Sequence, residues 1–152
     1  MTYPGYEAIR PAFSNLVESI RNNAESPLVP LVAEFSYVNH ITGGVLGLHD
    51  NYSVFRQPDQ PLPGEVVVER YETVTRSQLD IGVAQLTVSI QPANGEPGAT
   101  MLTVASKVFA SGNMPDVEIL DLVDAAHKLA KQAFFAIVSD TTKEKWGPTD
   151  GA

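Results

Sequence analysis

"LVAEFSYVNHITGG", Leu31 to Gly44, changes side with every residue: Leu31, Ala33, Phe35, Tyr37, Asn39 and Ile41 share one face of an extended chain. Val32, Glu34, Ser36, Val38, His40 and Thr42 share the other. A period of two, starting near Val29, predicts a long half-buried strand that breaks at Thr42-Gly43-Gly44. Its odd face is apolar except at Asn39, and its even face is mostly polar, so His40 points the same way as Glu34 and Ser36.

Upstream, Tyr6, Ile9, Phe13, Leu16, Val17 and Ile20 recur at steps of three and four, which predicts an amphipathic helix to about Asn23. Pro11 is expected near its first turn, and Pro27 closes the segment. Downstream, "VLGLHDNYSVF" is an edge or short strand around Tyr52 to Phe55, and "RQPDQPLPGE" is a loop by its prolines. Strand character returns in "EVVVERYETVTR" and again in "VAQLTVSIQ". Leu79, Ile81 and Val83 are odd where Leu86, Val88 and Ile90 are even, so a bulge or turn is expected near Gly82.

"PANGEPG" reads as a hairpin connection wider than two residues, leading into "TMLTVASKVFA". There Leu102, Val104 and Val108 share a face that Ser106 interrupts, as Asn39 interrupts the first strand. Pro115 and Asp116 signal a second helix, with a stripe of Leu120, Val123, His127, Ala130, Phe134 and Ile137. That stripe must be buried against the sheet or against another copy of the chain. Thr141-x-x-Glu144 has the spacing of a capping box for a short last turn.

The order predicts one α+β domain over residues 1–152: a helix, an antiparallel sheet of four or five strands, and a long C-terminal helix packed on it. Either a helix-grip-like curved sheet or a flatter two-layer sandwich fits that order. With 43% hydrophobic and 18% charged residues, the composition suits an ordinary globular protein. The absence of cysteine removes disulfide, thiolate and Cys-based metal chemistry and suits a cytoplasmic protein. No apolar run approaches the roughly 20 residues of a membrane span. A net charge of −8 opposes binding to nucleic-acid phosphates, so neither membrane nor nucleic acid is an expected partner.

His40, His49 and His127 stand at no recognised ligand spacing, so no metal or cofactor is expected. There is no Gly-x-Ser-x-Gly elbow, and adjacent Ser106 and Lys107 would point to opposite faces of a strand. No catalytic residue is assigned. Five residues remain as ligand or interface candidates: Tyr37, Asn39, Ser106, His127 and Phe134. Asn39 stands out because an amide on an apolar face costs about 1–3 kcal/mol unless paired with a loop, a side chain such as Ser106, a ligand or another subunit.

"YPGYEAIRPAF" followed by "LVAEFSYVNHI" resembles a sporadically distributed prokaryotic family of uncharacterised proteins. In its longer members a tyrosine-tryptophan-type lead enters a helix and a strand ends Tyr-hydrophobic-Asn-x-Ile; here that ending is Tyr37, Val38, Asn39, His40 and Ile41. "LVDAAHKLAKQAFFAIVSDTTKEKWGP", with His127, Phe134, Ser139 and Asp140, is similar to the family's closing helix and tail. Tyr6 stands where a tryptophan is usual, and the N-terminal half of the longer members has no counterpart; if that half carries the activity, the resemblance implies a reduced partner or regulator. The resemblance implies no activity, cofactor or catalytic residue.

The resulting expectation is a non-enzymatic binding or assembly module, homo-oligomeric through the sheet or the Leu120–Ile137 stripe and open to a protein partner. A small-molecule-binding or lyase/isomerase-type enzyme, with a pocket between sheet and C-terminal helix, is the alternative. An acidic immunity- or antitoxin-type partner is a third.

Overall fold

The computed structural model describes residues 5–26, 29–42, 71–93, 95, 99–111, 118–138, 140 and 144. Along the chain come α1 (Tyr6–Asn23), β1 (Val32–Thr42), β2 (Tyr71–Leu79), β3 (Gly82–Pro92), β4 (Ala99–Ala110) and α2 (Ile119–Ile137). The strands form one antiparallel sheet in the order β1-β4-β3-β2, and α2 packs on it over β1 and β4. The fold is therefore α+β, with four described strands. No described helix is long and apolar enough to cross a membrane.

The alternation of β1 decides which side α2 covers. Register sets Ala33 opposite Val108, Phe35 opposite Ser106, Tyr37 opposite Val104 and Asn39 opposite Leu102. Across β4, Ala84, Leu86, Val88 and Ile90 of β3 continue the same rows. On this face Leu102, Val104 and Val108 are fully buried beneath Leu122, Ala126, Ala130 and Ile137 of α2. Each large apolar side chain so covered contributes about 1.5–3 kcal/mol.

The helix stripe differs from expectation in its first two turns. Ala130, Phe134 and Ile137 are buried as expected, but Leu122 and Ala126 take the central positions while Leu120, Val123 and His127 lie on the flank. The physical reason is that α2 is apolar around much of its circumference, so the sheet selects among several possible stripes. The small side chains of Ala126 and Ala130 let the helix backbone lie close to the strands.

Two details also differ from expectation. β1 begins at Val32 rather than Val29, because Pro30 has no N–H to give a ladder. Pro11 lies inside α1 in its second turn, where it forgoes a bond to the Glu7 carbonyl. Glu118 is the N-cap of α2: its backbone N–H donates to Asp121 Oδ2 at 3.2 Å in a reciprocal capping box. Pro115, Asp116, the edge expected at Tyr52 to Phe55, the proline loop, "EVVVER" and Thr141 lie outside the described residues.

The parity change near Gly82 is a tight turn. Leu79 pairs with Gly82 across Asp80 and Ile81, and φ at Gly82 is +152°. A Cβ there would meet the Phe109 carbonyl oxygen at 1.9 Å, so only glycine lets β3 leave the turn beside β4. At the other end Ala93 N–H donates to the Ala99 carbonyl at 2.9 Å and closes the wider β3–β4 loop.

Candidate functional site

Where α1 meets the flank of α2, polar and aromatic side chains replace the aliphatic core. β1 delivers Phe35 and Tyr37 on its covered face, α2 delivers Asp124 and His127 one turn apart, and α1 adds Tyr6 and Arg10. The Tyr37 hydroxyl lies 3.0 Å from His127 Nε2. The Tyr6 ring stacks on the imidazole at a centroid separation of 3.8 Å and 14° between planes, while Phe35 meets it edge-on at 4.9 Å. Phe134 stacks against Tyr37 at 5.6 Å.

Asp124 fastens the helices together. Arg10 donates through Nε at 2.8 Å to Oδ1 and through Nη2 at 2.7 Å to Oδ2, and the Tyr6 hydroxyl donates to Oδ1 as well. A second pair, Arg21 with Glu118, joins the far end of α1 to the start of α2. Val17 is the only buried residue of α1, so this helix is attached mainly through polar and aromatic contacts.

The electrostatics follow from these contacts. Hydrogen bonds from Arg10 hold the Asp124 carboxyl below its ordinary range, against the opposing effect of burial. Burial pushes Tyr6 and Tyr37 up, with Asp124 adding to the shift at Tyr6. Burial, then the nearby Lys131 charge, hold His127 below its ordinary value, while Glu7 and Asp124 act the other way. At neutral pH the cluster therefore holds a neutral imidazole, a neutral phenol pair and an ionised Asp124–Arg10 bridge.

Of the five residues named from sequence, the fold brings Tyr37, His127 and Phe134 into direct contact. Ser106 is fully buried opposite Phe35, and its hydroxyl has no hydrogen-bond partner among the described residues. Asn39 Nδ2 is also buried, with no hydrogen-bond partner among the described residues. The pairing of Asn39 with Ser106 considered from sequence is not made. Asn39 opposes Leu102 while Ser106 opposes Phe35, which separates them by four residues along the strands, about 13 Å.

Sequence reasoning did not single out Tyr6, Arg10 or Asp124 as site residues. Asp124 precedes His127 by one turn and was legible as its neighbour, but its union with α1 spans 114 residues or more. His40 lies on the exposed face of the sheet, and His49 lies outside the described residues. Among the described residues no group of three His, Asp or Glu side chains is placed to hold a metal ion.

The opposite face of the sheet carries a different pattern. Val32, Phe109, Val83 and Gln78 form one row across the four strands, and Glu34, Lys107, Gln85 and Arg76 form the next. Val32, Val38, Val74, Val83 and Phe109 on this face are between 39% and 52% exposed. Lys107 Nζ lies 3.2 Å from Glu34, and Arg76 Nε donates to Gln85 Oε1 at 3.4 Å. Comparisons with protein-family models, with curated proteins and with solved structures return no match, so the geometry alone bears on function.

Proposed function

We propose that this chain is a non-enzymatic binding and assembly module whose contact surface is the face of the sheet opposite α2. The observation that carries this reading is the row Val32–Phe109–Val83, three exposed apolar side chains directly opposite one another on adjacent strands. Isolated surface valines need no explanation, but a contiguous row marks a surface that gains by being covered.

The expectation of assembly through the Leu120–Ile137 stripe is set aside, because α2 spends its apolar face on its own sheet. The polar cluster at α1 supports a structural role over a catalytic one. His127 is stacked by Tyr6, met by Phe35 and bonded by Tyr37, and so is already engaged by its own chain.

Native mass spectrometry of protein purified from its own host tests the proposal. The expected result is an assembly heavier than the 16.4 kDa chain that disperses on Phe109→Lys with the fold retained. A chain that is unassembled at micromolar concentration and enters no complex overturns it.

A further inference from the structure

Resting on that reading, we infer that the partner of the open sheet face is a second copy of this chain, laid face to face across a two-fold axis that runs along the strands between β3 and β4. The pattern of the two rows is self-complementary about that line. Such an axis sets β1 of one copy over β2 of the other and β4 over β3, with each row over its own equivalent. Phe109 then faces Val83 of the second copy, Glu34 faces Arg76, and Lys107 faces the neutral Gln85.

Packed sheets lie about 10 Å apart, a gap that Glu and Arg side chains span from the two sides. Thr103, Ala105, Thr87 and Ser89, in the middle of the face, are small enough to permit that approach. A two-fold axis along the Glu34 row instead sets Glu34, Lys107 and Arg76 each on its own copy, three like-charge contacts per pair. For a chain of net charge −8, association needs opposite charges brought together at the contact, and only the first arrangement gives Glu34 an Arg to meet while joining Phe109 to Val83.

Charge reversal tests the geometry. Glu34→Arg places two arginines opposite each other at both symmetry-related points, and Arg76→Glu places two glutamates there. Each variant alone is expected to raise the dimer dissociation constant at least tenfold by light scattering. An equimolar mixture of the two is expected to regain a dimer of near wild-type affinity, because every reversed charge then meets its opposite. As the chain has no cysteine, Glu72→Cys at the rim takes a single spin label, and the two labels of a dimer are expected about 15–20 Å apart.

The label distance reads the geometry even where a reversal variant fails to fold. Wild-type dimers indifferent to both reversals, a mixture that stays monomeric, or labels far apart overturn the inference. A stable complex with a different protein through the same face also overturns it while leaving the proposed function standing. A chain that neither self-associates nor joins any complex removes both.

Discussion

The Tyr37 hydroxyl and His127 Nε2, on β1 and α2, lie 3.0 Å apart, a polar link between two layers joined around it by aliphatic and aromatic packing. It fixes the rotation of α2 at the point where the helix turns its flank toward α1. Tyr37→Phe keeps the ring against Phe134 and removes only the link. Chemical denaturation is expected to show a loss of about 0.5–1.5 kcal/mol, the usual contribution of such a bond. An unchanged midpoint would mean that the hydroxyl bonds water equally well.

His127 also sets a pH dependence whose sign follows from its surroundings. Its folded-state value lies below the ordinary 6.5, so the unfolded chain takes up a proton that the folded chain resists. The stability held at neutral pH is therefore lost as pH falls through about 6.5 toward the depressed value. Asp124, also lowered, adds a second loss at more acid pH, below its ordinary 3.8. Melting temperatures are expected to fall between pH 7 and pH 5.5 in the wild type and to flatten over that range in His127→Phe. The same slope in both proteins would locate the titration elsewhere.

Gly82 stands where backbone approach leaves no room for a side chain. Gly82→Ala puts a methyl group 1.9 Å from the Phe109 carbonyl oxygen at a φ of +152°, so either the hairpin or β4 must shift. The expected cost is at least about 2 kcal/mol in urea unfolding, with the β2–β3 amides the first to lose hydrogen-exchange protection. Gly95, at a φ of +89° with no described atom within 4 Å of a Cβ built there, provides the comparison: Gly95→Asn carries backbone strain without a clash and is expected to cost less than Gly82→Ala.

Ser106 is a buried hydroxyl between two apolar clusters, without a hydrogen-bond partner among the described residues. Removing an unsatisfied polar atom recovers its desolvation cost, so Ser106→Ala is expected to leave stability unchanged or raise it by up to about 1 kcal/mol. A clear loss in thermal unfolding would show that the hydroxyl does find a partner in solution.

The strands were legible because their signal is local. Leu102, Val104 and Val108 alternate with residues such as Thr103 and Lys107 that leave the other side less apolar, and alternation survives any tertiary arrangement that covers one side. The phase of α2 was less legible: Ile119, Leu120, Leu122 and Val123 are all apolar, and only the position of the sheet selects Leu122. The cluster of Tyr6, Arg10 and Asp124 was not legible at all, because a carboxylate on one helix gives no local sign of an arginine more than a hundred residues earlier. Asn39 and Ser106 were correctly picked as breaks in an apolar face, but the register, which sequence does not give, keeps them apart.

The same non-local contact implies that α1 can be loosened without unfolding the sheet. Among the described residues its anchors besides Val17 include Tyr6 and Arg10 on Asp124, the Tyr6 ring on His127 and Phe35, and Arg21 on Glu118. Ile9, Leu16 and Ile20 remain between 45% and 55% exposed, so apolar burial does little to hold the helix once those contacts go. Asp124→Ala removes the acceptor shared by Tyr6 and Arg10. Hydrogen exchange is expected to quicken several-fold across Tyr6–Asn23 while the amides of β3 and β4 keep their protection. Equal acceleration throughout would mean that α1 and the sheet open as one unit, and that the Arg10–Asp124 bridge belongs to the global core rather than to a separable helix.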